Sequence, residues 1–101
     1  MQEKELIIVS RLQAKPNCED ALADELKSLA AATRSEPGCL SYAIHRDLNN
    51  AAIFVLIQHW QSKEELDIHF ITPHFLQHSL RLATLITAPP AITYLEVLDQ
   101  D

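Results

Sequence analysis

Several kinds of residue are scarce in this sequence. It has one glycine, one tryptophan and two cysteines, and its 8 Lys and Arg residues are outnumbered by 14 Asp and Glu residues, which gives a formal net charge of −6. Because a nucleic-acid backbone attracts clustered Lys and Arg, this charge balance argues against a nucleic-acid partner. It also argues against binding to an anionic membrane surface.

Long apolar segments are missing as well. The N-terminus is polar and of mixed charge, and the longest apolar run, residues 51–57, is too short to cross a bilayer. We therefore expect no signal peptide, no membrane span and a cytoplasmic location. In that compartment Cys18 and Cys39, whose spacing is unlike that of a metal site, are expected to be reduced structural thiols.

The motifs of common cofactor-dependent enzymes do not occur. The chain contains no GxGxxG segment, no phosphate-binding loop, no serine or cysteine nucleophile elbow and no convergent set of carboxylates. Its 101 residues, 48% of them apolar, are typical of one globular domain spanning residues 1–101. We therefore expect a single domain without a cofactor.

What is present is an alternation of strand and helix signals. Segments rich in β-branched residues predict strands over residues 6–12, 39–47, 52–60 and 91–98. Between the first two strands, Asn17 is a suitable N-cap for a helix over about residues 18–35. The apolar stripe of that helix consists of Leu22, Leu26, Leu29, Ala30 and Thr33. Pro37 and Gly38, the only glycine, end it in a turn.

Two further start signals follow the third predicted strand. Ser62 and Glu65 form a capping box, and Thr72 followed by Pro73 predicts the start of another helix at an angle to the first. The order is therefore βαββαβ, with the second helical segment split at Thr72. This order predicts an α+β, ferredoxin-like fold with an antiparallel sheet and helices on one side.

The third predicted strand is apolar on both faces between Ile53 and Ile57. An antiparallel sheet with one face in water should alternate apolar and polar residues. Since helices cover only one face, we expect the same face of a second subunit to cover the other. The sequence thus predicts a homodimer joined through the sheets.

The stretch from Glu36 to Phe75 carries a family resemblance. It begins with EPGCL, then Tyr42 and an Arg-Asp pair, continues through an apolar strand that ends at Trp60, and closes on HFITPHF. This order resembles the antibiotic biosynthesis monooxygenase superfamily, also called quinol monooxygenase-like proteins, and the likeness runs over residues 6–97. The resemblance implies a dimeric α/β barrel with a pocket between helices and sheet.

Trp60 and His69 are the main candidates for catalytic residues. Trp60 ends a strand on the face that should meet the helices, and the capped helix that follows carries His69 at the edge of its apolar stripe. By itself, Trp60 fits a core aromatic as well as a pocket residue, and His69 fits a buried, hydrogen-bonded histidine better than a functional one. The resemblance favours a pocket in which Trp60 and His69 meet across one cavity. The substrate-binding residues expected around it are Tyr42, Leu56, Phe70, His74 and Phe75.

The remaining histidines have other expected places. His74 and His78 lie four residues apart on one predicted helix, a spacing that allows two imidazoles to share a metal ion. No third ligand is evident and no HExxH pattern is present, so we expect no metal site. His45 and His59 face the opposite side of the sheet and are assigned to the dimer interface.

The resemblance implies oxidation of a small electron-rich aromatic, such as a hydroquinone, by O₂ without a cofactor, with His69 as base or anion stabiliser. One alternative is an isomerase of a small phosphorylated signalling sugar, for which the chain offers little beyond Arg81. Another is haem degradation, whose pattern requires Asn near Ser10, Trp near His69 and His near Ser79; all three differ here. The last is a non-enzymatic dimer that binds a small hydrophobic ligand.

Overall fold

The computed structural model describes residues 4–100. The strands are β1 (Leu6–Gln13), β2 (Cys39–Arg46), β3 (Ile53–Trp60) and β4 (Ala91–Glu96), and the helices are α1 (Glu19–Thr33), α2 (Lys63–His69) and α3 (Pro73–Ala83). All strand pairs are antiparallel, and the sheet order is β2-β3-β1-β4. The predicted α+β, ferredoxin-like fold is therefore confirmed.

Helix α1 follows its predicted stripe but not its predicted cap. Leu22, Leu26, Leu29, Ala30 and Thr33 are all buried. Asn17 is not the N-cap, because it adopts a positive φ of 67° in the preceding turn, which leaves Cys18 at the cap position without a side-chain hydrogen bond. Asparagine tolerates this left-handed conformation better than most residues. The stripe packs on the sheet residues Leu12, Tyr42, Phe54 and Leu56 to form the main core.

The break between α2 and α3 occurs where the capping signals predict it. The Ser62 hydroxyl accepts a hydrogen bond from the backbone N–H of Glu65 at 3.3 Å, and the Thr72 hydroxyl accepts one from Phe75 at 3.3 Å. The Thr72 hydroxyl also donates to the backbone oxygen of His69 at 2.8 Å, which ties the end of α2 to the start of α3. Pro73 has no N–H to donate, which disfavours one continuous helix, and Thr72 is in an extended conformation that ends the first helix.

The turn before β2 depends on Gly38. Its φ is +86°, a conformation that disfavours any side chain. A Cβ atom at this position would also overlap the carboxylate of Glu65. The Gly38 oxygen accepts a hydrogen bond from the backbone of Gln61 at 2.8 Å. The turn is thereby held against the start of α2, with Glu36 two residues upstream of the glycine.

The two faces of the sheet differ in burial. The face under the helices is closed, with Ile8, Leu12, Leu56 and Trp60 each no more than 4% exposed. On the opposite face Ile57 of β3 is 40% exposed and Leu95 of β4, on the far side of β1, is 44% exposed. The doubly apolar pattern of β3 therefore corresponds to a face that the described residues cover at Ile53 but leave partly open at Ile57.

Two smaller findings concern the sheet and the helices. A β-bulge between Cys39 and Ser41 leaves Leu40 outside the paired register and half exposed. The alternation expected of a regular strand is therefore interrupted at Leu40. None of the helices among residues 4–100 has the length and apolar character needed to cross a membrane.

Candidate functional site

A cavity of about 610 Å³ lies between the helices and the sheet. Its walls are mostly apolar and include Leu12 and Leu56 from the sheet, Leu29 from α1, and Phe75 and Leu82 from α3. The segment of residues 86–90 and Ile92 also line it. Its polar lining residues are Ser10, Lys15, Tyr42, Gln58, Ser79 and Thr87. A cavity of this size and apolar character suits a small organic molecule.

The predicted site residues divide into two groups. Tyr42, Leu56, Phe70 and Phe75 line the cavity, whereas Trp60, His69 and His74 do not. Trp60 and His69 meet directly, with ring centroids 4.9 Å apart, and their exposed fractions are 0% and 1%. The expectation that a cavity separates these two rings is therefore wrong. Because α2 has only seven residues and follows β3 at once, its last residue packs straight onto the strand end.

Two phenyl rings stand between His69 and the cavity. The ring centroid of Phe75 lies 4.9 Å from that of His69, and the centroid of Phe70 lies 5.3 Å away. The two phenyl rings also contact each other edge to face at 5.1 Å. These rings form the cavity wall and shield the imidazole, so a molecule in the cavity reaches His69 only if one of them turns.

Glu36 is the partner of His69. The Nδ1 atom of His69 lies 3.0 Å from both carboxylate oxygens. A carboxylate only accepts hydrogen bonds, so Nδ1 carries the proton and Nε2 keeps a free lone pair. Burial lowers the pKa of His69, and the neighbouring His74 lowers it slightly. The hydrogen bond to Glu36 and the charge of Glu36 raise it, but by less, so the pKa of His69 is below its usual value. The imidazole is therefore neutral near pH 7.

His74 approaches the same carboxylate from α3. Its Nε2 atom lies 2.5 Å from Oε2 of Glu36 and is shielded from solvent, yet it makes no well-directed hydrogen bond. The side chains of Glu36 and His74 are 12% and 31% exposed. Glu36, His69 and His74, called the Glu36 cluster below, thus place one carboxylate between two imidazoles. The sequence interpretation missed Glu36, although it lies in the EPGCL motif and directly precedes Pro37.

Gln58 links Trp60 to the cavity. The indole N–H of Trp60 donates to Oε1 of Gln58 at 3.0 Å. Because an indole can only donate, this bond fixes the amide oxygen toward Trp60 and turns the NH₂ group away from it. Gln58 is 5% exposed and lines the cavity. The amide is therefore a pre-oriented hydrogen-bond donor, which the sequence alone does not reveal.

Tyr42 lies beside Gln58 on the neighbouring strand. The two residues are paired in the β2–β3 register, and both line the cavity. Burial raises the pKa of Tyr42 well above its usual range; Cys39 and Glu36 add smaller increases, and Arg34 opposes them. The phenol therefore remains protonated and can donate a hydrogen bond. Tyr42 and Gln58 together form a polar patch on an otherwise apolar wall.

A second carboxylate–histidine group lies between α1 and α3. Nδ1 of His78 hydrogen-bonds to Glu25, and Nε of Arg81 donates to the other oxygen of Glu25 at 2.9 Å. We call these three residues the Glu25 cluster. His78 is thereby turned away from His74, whose ring centroid lies 6.5 Å from its own. The two-histidine pair considered from the sequence does not converge on one point.

The other two histidines lie on the open face of the sheet. Nε2 of His59 is 2.6 Å from Oε1 of Glu5, and Nδ1 of His45 is 3.2 Å from the backbone oxygen of Val55. Both positions agree with the predicted strand faces. Their assignment to a dimer interface stays a prediction.

The fold and the cavity define a small α+β, ferredoxin-like protein with an apolar binding site. A family model described as antibiotic biosynthesis monooxygenase matches residues 6–79. The protein Rv0793 of Mycobacterium tuberculosis, provisionally named a monooxygenase, is 31% identical over 93 residues, which cover 92% of this chain and 91% of that protein. The chain therefore belongs to the antibiotic biosynthesis monooxygenase family.

Solved structures share this fold over nearly the whole chain. The structure of Rv0793 has a TM-score of 0.89 at 30% identity and covers 95% of this chain and 97% of its own. PA3566 from Pseudomonas aeruginosa has a TM-score of 0.89 at 31% identity, covering 98% and 99%. A structure described as an antibiotic biosynthesis monooxygenase has a TM-score of 0.86 at 26% identity, covering 93% and 99%. These similarities support a monooxygenase-type function.

Proposed function

We propose that this protein oxidises a small, electron-rich aromatic molecule of the hydroquinone type with O₂ and without a cofactor. The observation that supports the proposal most is the placement of two hydrogen-bond donors, Tyr42 and Gln58, side by side in an apolar cavity. Such a cavity holds a flat ring by burial and a ring oxygen by hydrogen bonds. Among the described residues, Lys15 is the only Lys or Arg that lines the cavity.

The proposed reaction begins with loss of a proton from a substrate hydroxyl. The amide of Gln58 and the phenol of Tyr42 then stabilise the resulting oxyanion, which donates electrons to O₂. One oxygen atom of O₂ replaces a ring hydrogen and forms a C–O bond, and the other leaves as water. The substrate supplies all four electrons, so hydroquinone and O₂ give a hydroxylated quinone and water.

His69 is the proposed base. Glu36 holds its Nδ1 proton, which leaves the lone pair of Nε2 to accept the substrate proton, as in other carboxylate–imidazole pairs. The substrate hydroxyl reaches this nitrogen when Phe70 or Phe75 turns. In this arrangement Trp60 is a positioning residue, because it orients the amide of Gln58. His74 lies beside the proposed base, with the two ring centroids 6.2 Å apart.

We also propose that the active form is a homodimer joined through the open faces of the sheets. The supporting observation is the exposed apolar surface around Ile57 and Leu95. An obligate interface of this kind should bury upwards of about 2,000 Å² in total. Light scattering should give twice the chain mass at micromolar concentration. A stable monomer there would contradict the dimer without affecting the proposed chemistry.

The oxidation is tested by oxygen uptake with hydroquinones, using protein treated with a chelator and free of flavin. Gln58→Leu removes the oriented donor and should lower turnover by about 100- to 1,000-fold, the usual effect of losing an oxyanion-stabilising donor. Gln77→Leu is the matched control, because Gln77 is exposed on α3 and should leave turnover unchanged. Equal activity of the wild type and the Gln58 variant would contradict the proposed role.

A non-enzymatic ligand-binding dimer is the second candidate function. It is favoured by the phenyl rings that separate His69 from the cavity. Tight binding of hydroquinones without oxygen uptake would support this alternative. The isomerase of a phosphorylated sugar is less well supported, because Arg81 is bound to Glu25 and does not line the cavity.

A further inference from the structure

We propose that Glu36, His69 and His74 form a binding site for one divalent transition-metal ion, with Zn²⁺ as the reference ion. One ligand atom of each residue lies within 4.8 Å of the other two. The three residues come from separate segments, namely the turn after α1, the end of α2 and the first turn of α3. The inference concerns metal binding and does not rest on the proposed oxidation.

The break at Thr72 creates this arrangement. In one continuous helix, residues five apart such as His69 and His74 would point about 140° away from each other. Here the chain changes direction between them, and both imidazoles turn toward Glu36. Nδ1 of His69 lies 3.0 Å from the carboxylate, and Nε2 of His74 lies 2.5 Å from it. The turn at Gly38 delivers the carboxylate to the same point.

The donor set matches the coordination chemistry of Zn²⁺ and neighbouring metals. Two imidazoles and one carboxylate are common ligands for Zn²⁺, Fe²⁺ and Co²⁺. In a tetrahedral site with bonds of about 2.0–2.1 Å, the donor atoms lie about 3.3 Å apart. The carboxylate therefore has to move away from each imidazole by less than about 1 Å, and the two imidazole nitrogens have to approach each other by up to about 1.5 Å. His74, with 31% of its side chain exposed, has room for that movement and leaves space for a water ligand.

The electrostatics of the cluster also favour a cation. Within residues 4–100, the Glu36 carboxylate contacts the two histidines and no Lys or Arg. Its side chain is only 12% exposed. Nε2 of His74 is a buried nitrogen without a hydrogen-bond partner. A divalent ion would place a positive charge beside the carboxylate and would also coordinate this nitrogen.

A bound ion would have a consequence for His69. Coordination through Nδ1 replaces the proton that now faces Glu36, and a neutral imidazole then carries its proton on Nε2. The lone pair proposed as the proton acceptor would no longer be free. Metal binding and proton transfer by His69 therefore exclude each other in the same molecule.

The test is calorimetric titration of Zn²⁺ into tag-free, chelator-treated protein. The expected result is one ion per chain. Glu36→Gln and His74→Ala should each weaken binding by at least about 100-fold. Loss of an outer-shell partner typically weakens metal binding about 10- to 100-fold, and loss of a direct ligand should cost at least the upper end of that range. Circular dichroism and thermal unfolding confirm that each variant is folded. Visible absorption of Co²⁺ loaded in place of Zn²⁺ reports a coordination of four or five ligands.

Two control variants make the result decisive. His45→Ala removes an exposed histidine on the open face of the sheet and should leave the affinity unchanged. His78→Ala removes the other histidine of α3 and should also leave it unchanged. Loss of binding in His78→Ala but not in Glu36→Gln would place the ion between His74 and His78 and overturn the proposal. Absence of binding, or weak binding of several ions that no variant alters, would overturn it as well.

Discussion

The Glu36 and Glu25 clusters have the same core of a shielded carboxylate and a buried histidine but different surroundings. In the Glu25 cluster, a carboxylate from α1 bonds to His78 and to the guanidinium of Arg81. In the Glu36 cluster, a carboxylate from a turn lies between His69 and His74 and has imidazoles alone as partners. The carboxylates are 13% and 12% exposed, so burial does not distinguish them.

The difference lies in the permanent cation. Burial raises the pKa of Glu25. Hydrogen bonds from His78 and Arg81 and the charge of Arg81 lower it by a larger amount, so the pKa of Glu25 is below its usual value. Whenever Glu25 is ionised, the guanidinium of Arg81 balances its negative charge. The cluster is therefore a structural connection between α1 and α3. Among residues 4–100, Glu36 has no guanidinium or ammonium partner, so a metal ion could supply at Glu36 the positive charge that Arg81 supplies at Glu25. Four predictions separate the two clusters.

The largest expected effect is on turnover, and it should separate His69 of the Glu36 cluster from His78 of the Glu25 cluster. His69→Ala should lower hydroquinone turnover by about 100- to 10,000-fold, the range for loss of a general base. His78→Ala should leave turnover within a few-fold of wild type, although it lowers stability. Steady-state oxygen uptake by the folded variants provides the measurement. Similar losses in both variants would mean that the Glu36 cluster has no special role in the chemistry.

Removing the charge of Glu25 should have the next largest effect, this time on stability. Glu25→Gln weakens two hydrogen bonds between a carboxylate and its partners on α3, and should lower the free energy of unfolding by about 1–3 kcal/mol. Turnover should persist. Urea unfolding followed by circular dichroism measures the change. Arg81→Met, which removes the same ion pair from the other side, should reproduce part of the loss if the connection between helices is the cause.

Gly38→Ala should disturb the Glu36 cluster and leave the Glu25 cluster intact. An alanine at φ +86° costs about 1–2 kcal/mol, because its Cβ crowds the following carbonyl. The added Cβ also overlaps the carboxylate of Glu65, so Glu65 has to move. We expect lower turnover together with the loss of stability, since Glu36 is displaced. Unchanged turnover in a destabilised Gly38→Ala variant would show that the turn does not position the cluster.

The smallest expected effect is a pH dependence of the contribution that Glu25 makes to the free energy of unfolding. Because the pKa of Glu25 is lower in the folded than in the unfolded chain, its stabilisation is present above the unfolded value of about 4.5 and is lost as the pH falls through the folded pKa. The difference in unfolding free energy between wild type and Glu25→Gln should therefore be constant near neutral pH and shrink below about pH 4.5. A difference that stays constant down to pH 3 would contradict an ionic origin.

Much of this molecule follows from local sequence signals. The apolar spacing from Leu22 to Thr33 gave the buried stripe of α1, and the caps at Ser62 and Thr72 gave the break between α2 and α3. These features depend on side chains acting within one turn of their own backbone, which a single sequence displays directly. The order βαββαβ along the chain followed from the alternation of strand and helix signals.

Only the tertiary structure decided which polar groups meet. Glu36 and His69 are 33 residues apart in sequence, and their hydrogen bond depends on how the Gly38 turn packs against α2. The orientation of Gln58 depends on the indole of Trp60, and the separation of His69 from the cavity depends on how Phe70 and Phe75 pack. No local pattern encodes such contacts, because they arise from the packing of segments that are distant along the chain. The sequence determined the fold and the family, whereas the packing determined the composition of the site.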